Sequence, residues 1–291
     1  MEMPVPGSEP LHTESSFTAG DGSLLFRQSW LPASAPRATV VLVHGYAEYS
    51  GRYRWTGEQL AAAGIAVHAY DLRGHGRSEG LRAYVGSFRE HLDDLETFLG
   101  LVNTEDDGAP SFLLAHSMGG CIATLYVAVR KPSLQGLILS GPAIAAPEGA
   151  AKVLGAVAAM IAKVAPRAGV LKLSAATVSR DPAVVEAYDN DPLVFRGKMP
   201  AATLAALRRA IARIQAEMPG ITLPLLLLHG TADELCSTEG SQTLFDTAAS
   251  EDKTLKFYDG LAHEILNEPE KETVLGDVRG WIEARSDASA S

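Results

Sequence analysis

The sequence predicts an α/β protein: a mostly parallel central sheet, helices on both faces and an inserted helical cap. Three observations carry this reading. Short continuous apolar runs, among them Thr39 to His44, Ile65 to Tyr70 and Leu223 to Leu228, read as strands buried on both faces. Stretches with apolar residues at helical spacing alternate with them, as parallel strands joined by crossover helices require. One alanine-rich interval, Gly141 to Gly220, breaks the alternation and contains no clear strand.

Taken in order, Met1 to Leu11 reads as a disordered lead-in. His12 to Trp30 follows as a strand pair turning at Ala19-Gly20-Asp21-Gly22, with Leu24 and Phe26 on one face and Leu25 and Arg27 on the other. After the buried run Thr39 to His44, Trp55 to Ala63 reads as a helix leading into the strand Ile65 to Tyr70. Phe88, Leu92, Leu95 and Leu99 mark one face of a helix over Phe88 to Leu101. Phe112 to Leu114 is the next strand, Cys121 to Arg130 a helix, and Leu134 to Leu139 another strand. Beyond the interval come the strand Leu223 to Leu228, a helix near Gln242 to Ala249, the strand Leu255 to Tyr258, and a helix from Lys271 to Ala284. Ser286 to Ser291 is a small polar tail. The core is thus expected over 1–141 and 221–291, and the cap over 142–220.

Two helices are expected inside the cap. Ala150 to Ala165 sets Val153, Leu154, Val157, Ile161 and Val164 along one face, with only Lys152 and Lys163 charged. So apolar a helix is either buried within the cap or meets lipid or a hydrophobic substrate as a lid. Burial is the expectation taken forward. Thr203 to Met218 carries Leu204, Leu207, Ile211, Ile214 and Met218 on one face and reads as a packed cap helix.

Composition narrows the function. A chain of 291 residues, 46% hydrophobic and 21% charged, has room for a large core and the balance of a soluble protein. The net charge of −10 argues against nucleic acid and against electrostatic docking on anionic lipid. Two cysteines, Cys121 and Cys236, are too few for a disulfide framework and read as reduced thiols of a cytoplasmic chain. No stretch reaches the roughly 18 to 20 apolar residues of a membrane span.

The chemistry centres on Ala115-His116-Ser117-Met118-Gly119, where a serine flanked by small residues follows a strand and opens a helix. That is the pattern of a nucleophile elbow, whose strained backbone demands small neighbours two residues away on either side. A serine hydroxyl needs a base, and the base a carboxylate, in the order serine, acid, histidine along such a chain. His263 lies in a loop just beyond a strand, whereas His229 ends a buried strand. Asp233 occupies the matching position after Leu223 to Leu228, with Glu234 and Asp259 as competing acids. Ser117, Asp233 and His263 are therefore the expected triad. The oxyanion of a tetrahedral intermediate would take backbone N–H groups from Met118 and from Tyr46, in the loop after the first buried strand.

Several stretches together resemble one family of serine hydrolases of the α/β-hydrolase fold, the monoacylglycerol lipases. They are His44 to Tyr53, Asp71 to Gly80, His116 to Gly120, Ser179-Arg180, Asn190 to Leu193, Gly230 to Cys236 and His263, in family order from about Ser23 to Trp281. The resemblance implies a carboxylester hydrolase that releases a fatty acid from monoacylglycerol through a serine acyl-enzyme, with no metal and no organic cofactor. Its partner would be a small lipid ester, met through an apolar acyl tunnel under the cap, with peripheral membrane or micelle contact through that cap. Glu48, Arg52 and Tyr188 match positions near the leaving alcohol. Glu48 and Arg52 equally fit an i,i+4 ion pair. Cys236 is either a thiol near the site or an inert buried one. The alternatives are a related esterase or lysophospholipase acting on other acyl esters, and a hydrolase-fold binding protein without turnover. Two departures stand out: Ala115 replaces the usual first elbow glycine, and Glu264-Ile265-Leu266 lacks a histidine that mammalian members carry after the catalytic one.

Overall fold

The fold is described from a computed structural model covering residues 10–106, 108–145 and 149–286. The ten strands are β1 (Leu11–Thr18), β2 (Leu24–Leu31), β3 (Ala38–Val43), β4 (Ile65–Tyr70), β5 (Ser111–His116), β6 (Gly136–Ser140), β7 (Gly169–Leu171), β8 (Met199–Pro200), β9 (Leu225–Gly230) and β10 (Lys253–Tyr258). The α-helices among the described residues are α1 (Arg54–Ala62), α2 (Phe88–Glu105), α3 (Ser117–Arg130), α4 (Gly149–Val164), α5 (Pro182–Asn190), α6 (Ala201–Glu217), α7 (Thr238–Thr247) and α8 (Lys271–Ser286). Eight strands form one sheet in the order β1-β2-β4-β3-β5-β6-β9-β10. The hairpin strands β1 and β2 run antiparallel, and the six strands from β4 to β10 are parallel.

Side-chain alternation along the buried strands divides the core. In β5, Leu113 and Ala115 face one layer with α2 and α3, while Phe112 and Leu114 face the other with α1 and α8. The second layer is built around Trp30, Leu60, Phe112, Trp281 and Ile282, with Phe112 and Trp281 packed edge to face at 5.8 Å. Strand order reverses at β3, since the chain passes to β4 on one side and later returns to β5 on the other. The loops leaving β3 and β5 therefore open side by side at the carboxyl edge of the sheet, the usual place for a ligand in such a fold.

Several expectations shift here. The lead-in expected over Met1 to Leu11 falls outside the described residues except for its end, where Leu11 already begins β1; the tail does so except for Ser286, which ends α8. The helix expected from Cys121 opens four residues earlier, at Ser117 itself. The strand expected from Leu223 starts at Leu225, because Pro224 has no N–H to give the ladder, and it runs on through His229 and Gly230. The interval expected to lack strands contains a short antiparallel pair, β7 with β8.

The largest difference concerns α4. It rests on α6 through its small residues: Ala158 is fully buried, and Gly155 leaves space that the Arg208 side chain fills. Arg208 Nη1 also donates to the Lys152 carbonyl at 2.8 Å. Leu154 and Ile161 are part-buried, but the other large residues are turned outward, with Val153 65%, Val157 40%, Met160 62% and Val164 87% exposed. Burial of the whole apolar face is thus overturned, because the small residues of α4 make the close approach. No described helix is long and apolar enough to cross a membrane.

Replacing Phe112 by Ala removes a fully buried ring from the centre of the second layer. It is expected to cost about 3–5 kcal/mol of unfolding free energy, read as a lower urea midpoint at constant slope.

Candidate active site

Strand β5 passes into α3 without a loop, and Ser117 makes the reversal at φ 53°. This left-handed conformation is costly for a residue with a Cβ and is held here by the flanking strand and helix. Gly119 makes it sterically feasible, since a Cβ there would run into the carbonyl oxygens of Val43 and His44. Ala115 is buried in the sheet and its methyl is accommodated. Ser117 lies half-buried on a pocket it shares with Tyr46, Met118, Glu48, His116, Tyr188, Cys236, His263 and Glu264.

Asp233 and His263 come from the loops after β9 and β10. His263 Nδ1 lies 2.7 Å from Asp233 Oδ2, and both side chains are nearly fully covered. Asp233 Oδ1 accepts the backbone N–H groups of Leu235 and Cys236 at 2.8 and 2.9 Å. His229 Nε2 reaches Oδ2 at 3.0 Å. Burial alone would raise this carboxyl, but the two imidazoles and the backbone donors hold it well below the ordinary range. Gly141, at φ 50°, allows the close fit: a Cβ there would lie 3.2 Å from both Asp233 Oδ2 and the His263 carbonyl oxygen. Neither Glu234 nor Asp259, the competing acids, bonds to His263; Asp259 instead accepts from Thr231 Oγ1 at 3.2 Å.

The ring of His116 lies 4.5 Å from that of His263, tilted by 50°, and its Nδ1 lies 2.9 Å from the Ser140 carbonyl. Burial and the neighbouring imidazole push His116 down to about 3, so it adds no second charge. Cys236 is buried on the pocket it shares with Ser117, and burial raises its thiol well above the usual range. Asp233, Cys236 and His263 bring donor atoms within 4.8 Å of one another. Within this set Asp233 and His263 are hydrogen-bonded to each other.

At the other end of the pocket, the loop after β3 is tied by its own carboxylate. Glu48 Oε1 accepts from Gly45 N at 2.6 Å and from the Tyr53 hydroxyl at 2.8 Å, and Arg52 Nη1 donates to Oε2 at 3.1 Å. Glu264, the residue after His263, takes both guanidinium arms of Arg52 at 2.5 and 2.7 Å. Two carboxylates thus share one guanidinium, which also lies 4.7 Å from the Tyr188 ring centroid. Burial and the nearby Glu264 push Glu48 up to about 7 against the pull of Arg52, whereas the paired Arg52 fork holds Glu264 below its ordinary value despite burial. Glu48 and Tyr188 line the pocket; Arg52 sits behind them in the ion pair that its i,i+4 spacing suggested. Most of the remaining wall is apolar and comes from the interval between β6 and β9, including Leu171, Leu173, Val178, Met199, Leu204 and Leu207. Sequence reasoning named two of the residues gathered here without giving them a place in the site. Glu264 had a signal in its place directly after His263, and His229 had one in its i,i+4 spacing to Asp233.

In the unfolded chain Glu48 titrates near 4.5, so between that value and about 7 the folded protein binds more protons. The contribution of Glu48 to stability is therefore present at low pH and falls as pH rises through this window. Urea unfolding of Glu48→Gln and the parent at pH 5 and pH 8 is expected to show the variant gaining relative stability toward pH 8; a relative loss would contradict this.

Comparison with known proteins agrees with the fold and with the family that the sequence resembles. A family profile described as Hydrolase_4, "Serine aminopeptidase, S33", matches residues 34–270. A protein named monoacylglycerol lipase from Mycolicibacterium smegmatis is 43% identical over 93% of this chain and 96% of its own length. The monoglyceride lipase of Mus musculus is 34% identical over 99% of this chain and 96% of its own. A crystal structure titled as the monoacylglycerol lipase of Paleococcus ferrophilus superposes with a TM-score of 0.79 at 32% identity, covering 90% of this chain and 99% of that one. The chain belongs to the Hydrolase_4 family of serine hydrolases with the α/β-hydrolase fold, and within it to the monoacylglycerol lipases.

Proposed function

We propose that this protein hydrolyses monoacylglycerol, releasing the fatty acid through an acyl-enzyme on Ser117. The observation that carries the reading is the 2.7 Å contact between His263 Nδ1 and Asp233 Oδ2 on the same pocket as a serine in the elbow conformation. With Nδ1 engaged by Asp233, Nε2 of His263 is the nitrogen free to take the Ser117 proton as the hydroxyl attacks the ester carbonyl. The backbone N–H groups of Tyr46 and Met118 receive the developing oxyanion; the latter stands in the first turn of α3, where a helix leaves its N–H groups unpaired. His263 then protonates the departing glycerol oxygen, and water attacks the acyl-enzyme by the reverse sequence.

The apolar wall from residues 142–220, acting as the cap, takes the acyl chain. Glu48 and Tyr188 face the leaving alcohol, with Arg52 ordering them from behind. Two carboxylates against one guanidinium, and no lysine or arginine among the described lining residues, favour a neutral polyol over a phosphate headgroup. Ser117→Ala is expected to lower turnover of monoacylglycerol roughly 10⁶-fold with an unchanged melting temperature. The parent enzyme should hydrolyse lysophospholipid at least about tenfold more slowly, because no lining cation offsets the desolvation of its phosphate. Turnover of monoacylglycerol by Ser117→Ala at the parental rate would refute the assignment.

The outward stripe of α4 meets the lipid aggregate in which such a substrate resides, a contact that is apolar rather than electrostatic in a chain of net charge −10. The double variant Val157→Asp, Met160→Asp should lose activity on micellar substrate several-fold while retaining it on a soluble short-chain ester. Equal activity on both substrates would count against the contact.

A further inference from the structure

We propose that His229 is a positioning residue for this reaction, fixing through a buried hydrogen bond the carboxylate that orients His263. The inference rests on the reading of Ser117, Asp233 and His263 given above. His229 is fully buried at the end of β9. Its Nε2 lies 3.0 Å from Asp233 Oδ2 and 3.0 Å from the Cys236 carbonyl oxygen. Two acceptors at one nitrogen require that nitrogen to carry the proton. The other nitrogen, Nδ1, lies 2.8 Å from Ser241 Oγ, in α7, whose hydroxyl donates to it. The tautomer is thereby set from both sides: N–H toward Asp233, lone pair toward Ser241.

The consequence falls on Asp233. Its Oδ2 receives two imidazole N–H groups, from His263 at 2.7 Å and from His229 at 3.0 Å, while Oδ1 is held by backbone. His263 must turn between neutral and protonated forms during each cycle, so it cannot by itself hold the carboxylate that is meant to hold it. His229 supplies a fixed donor to the same oxygen. That donor also draws charge from Oδ2, tempering its pull on the proton at His263 Nδ1. Because His229 also bonds to the Cys236 carbonyl, the acid's loop is anchored to the strand it follows.

Removing the donor while keeping bulk leaves more negative charge facing His263. The imidazolium form is then favoured, and a higher pH is needed to free the base. The test combines two measurements on the full-length protein. Nitrogen-15 histidine NMR of the parent, assigned with H229Q, is expected to show His229 as the Nε2–H tautomer. Profiles of kcat and kcat/KM against pH on monoacylglycerol are expected to separate H229L from H229Q. H229L should lose roughly tenfold in kcat with KM little changed, the scale of a hydrogen bond to a charged group. Its acid limb should move to higher pH. H229Q, whose side-chain amide restores an N–H at that reach, should recover most of the rate and the parental limb.

A bare Nε2 on His229 would overturn the inference. So would an H229L profile identical to the parent, or H229Q as impaired as H229L. Should H229L fail to fold, the tautomer in the parent and the H229Q profile decide. Phosphonate labelling separates the two levels of the account. A parent enzyme unlabelled at Ser117 would sink the catalytic reading itself, whereas a labelled, active parent with a bare Nε2 would sink only the role of His229.

Discussion

The backbone of Ser117 is the constraint on which the rest of the structure depends. A central strand turns directly into a helix at a residue with φ 53°, a conformation that costs on the order of 1–3 kcal/mol outside a supporting frame. The frame comes from the sheet, with β5 paired to β3 on one side and β6 on the other, and from α3 packed across its face. The neighbouring glycines follow from the same turn. Gly119 must clear the carbonyls leaving β3, and Gly45 must clear Ser117 itself, since a Cβ on Gly45 would come within 3.1 Å of the Ser117 Cβ. Strand order reverses at β3, so the loop carrying Tyr46 is brought to the serine without any long excursion.

Around that turn, environment separates two buried carboxylates of similar chemistry. Asp233 is surrounded by donors, two backbone and two imidazole, and stays ionised. Glu48 shares one guanidinium with Glu264 and is pushed toward neutrality. The first arrangement suits a group that must remain an anion beside an imidazole that charges and discharges. The second makes a polar surface of little net charge on the pocket wall. Neither role follows from residue type; each follows from the count of donors against burial.

Much of this was legible in the sequence. Continuous apolar runs located β3, β4 and β5 within a residue or two, because strands buried on both faces leave no polar register to confuse. The elbow conformation of Ser117 and the pairing of Asp233 with His263 were readable because chain order and a position after a strand are both one-dimensional facts. What was lost is what spacing does not encode. The pairing of β7 with β8 involves only a few residues and little periodicity. Helix α4 showed a large apolar face in sequence, but its small residues make the contact with α6, where Gly155 admits the Arg208 side chain. Residue types alone would also mislead, since Ser29, His68 and Asp106 form a second serine–histidine–carboxylate chain at 2.8 and 2.9 Å. That serine sits in β2 and is buried within the sheet, with no elbow and no helix start behind it.

The central claim is that Ser117 is the one acylated side chain and that its oxyanion is received by the loop after β3 and the start of α3. Its most direct test is a crystal structure, with intact mass, of the protein treated with an alkyl phosphonate that mimics the tetrahedral intermediate. The account predicts a single adduct on Ser117, with the phosphoryl oxygen within about 3 Å of the Tyr46 and Met118 nitrogens and the alkyl chain between Leu204 and Leu207. An adduct on another residue, or none on folded protein, would contradict it.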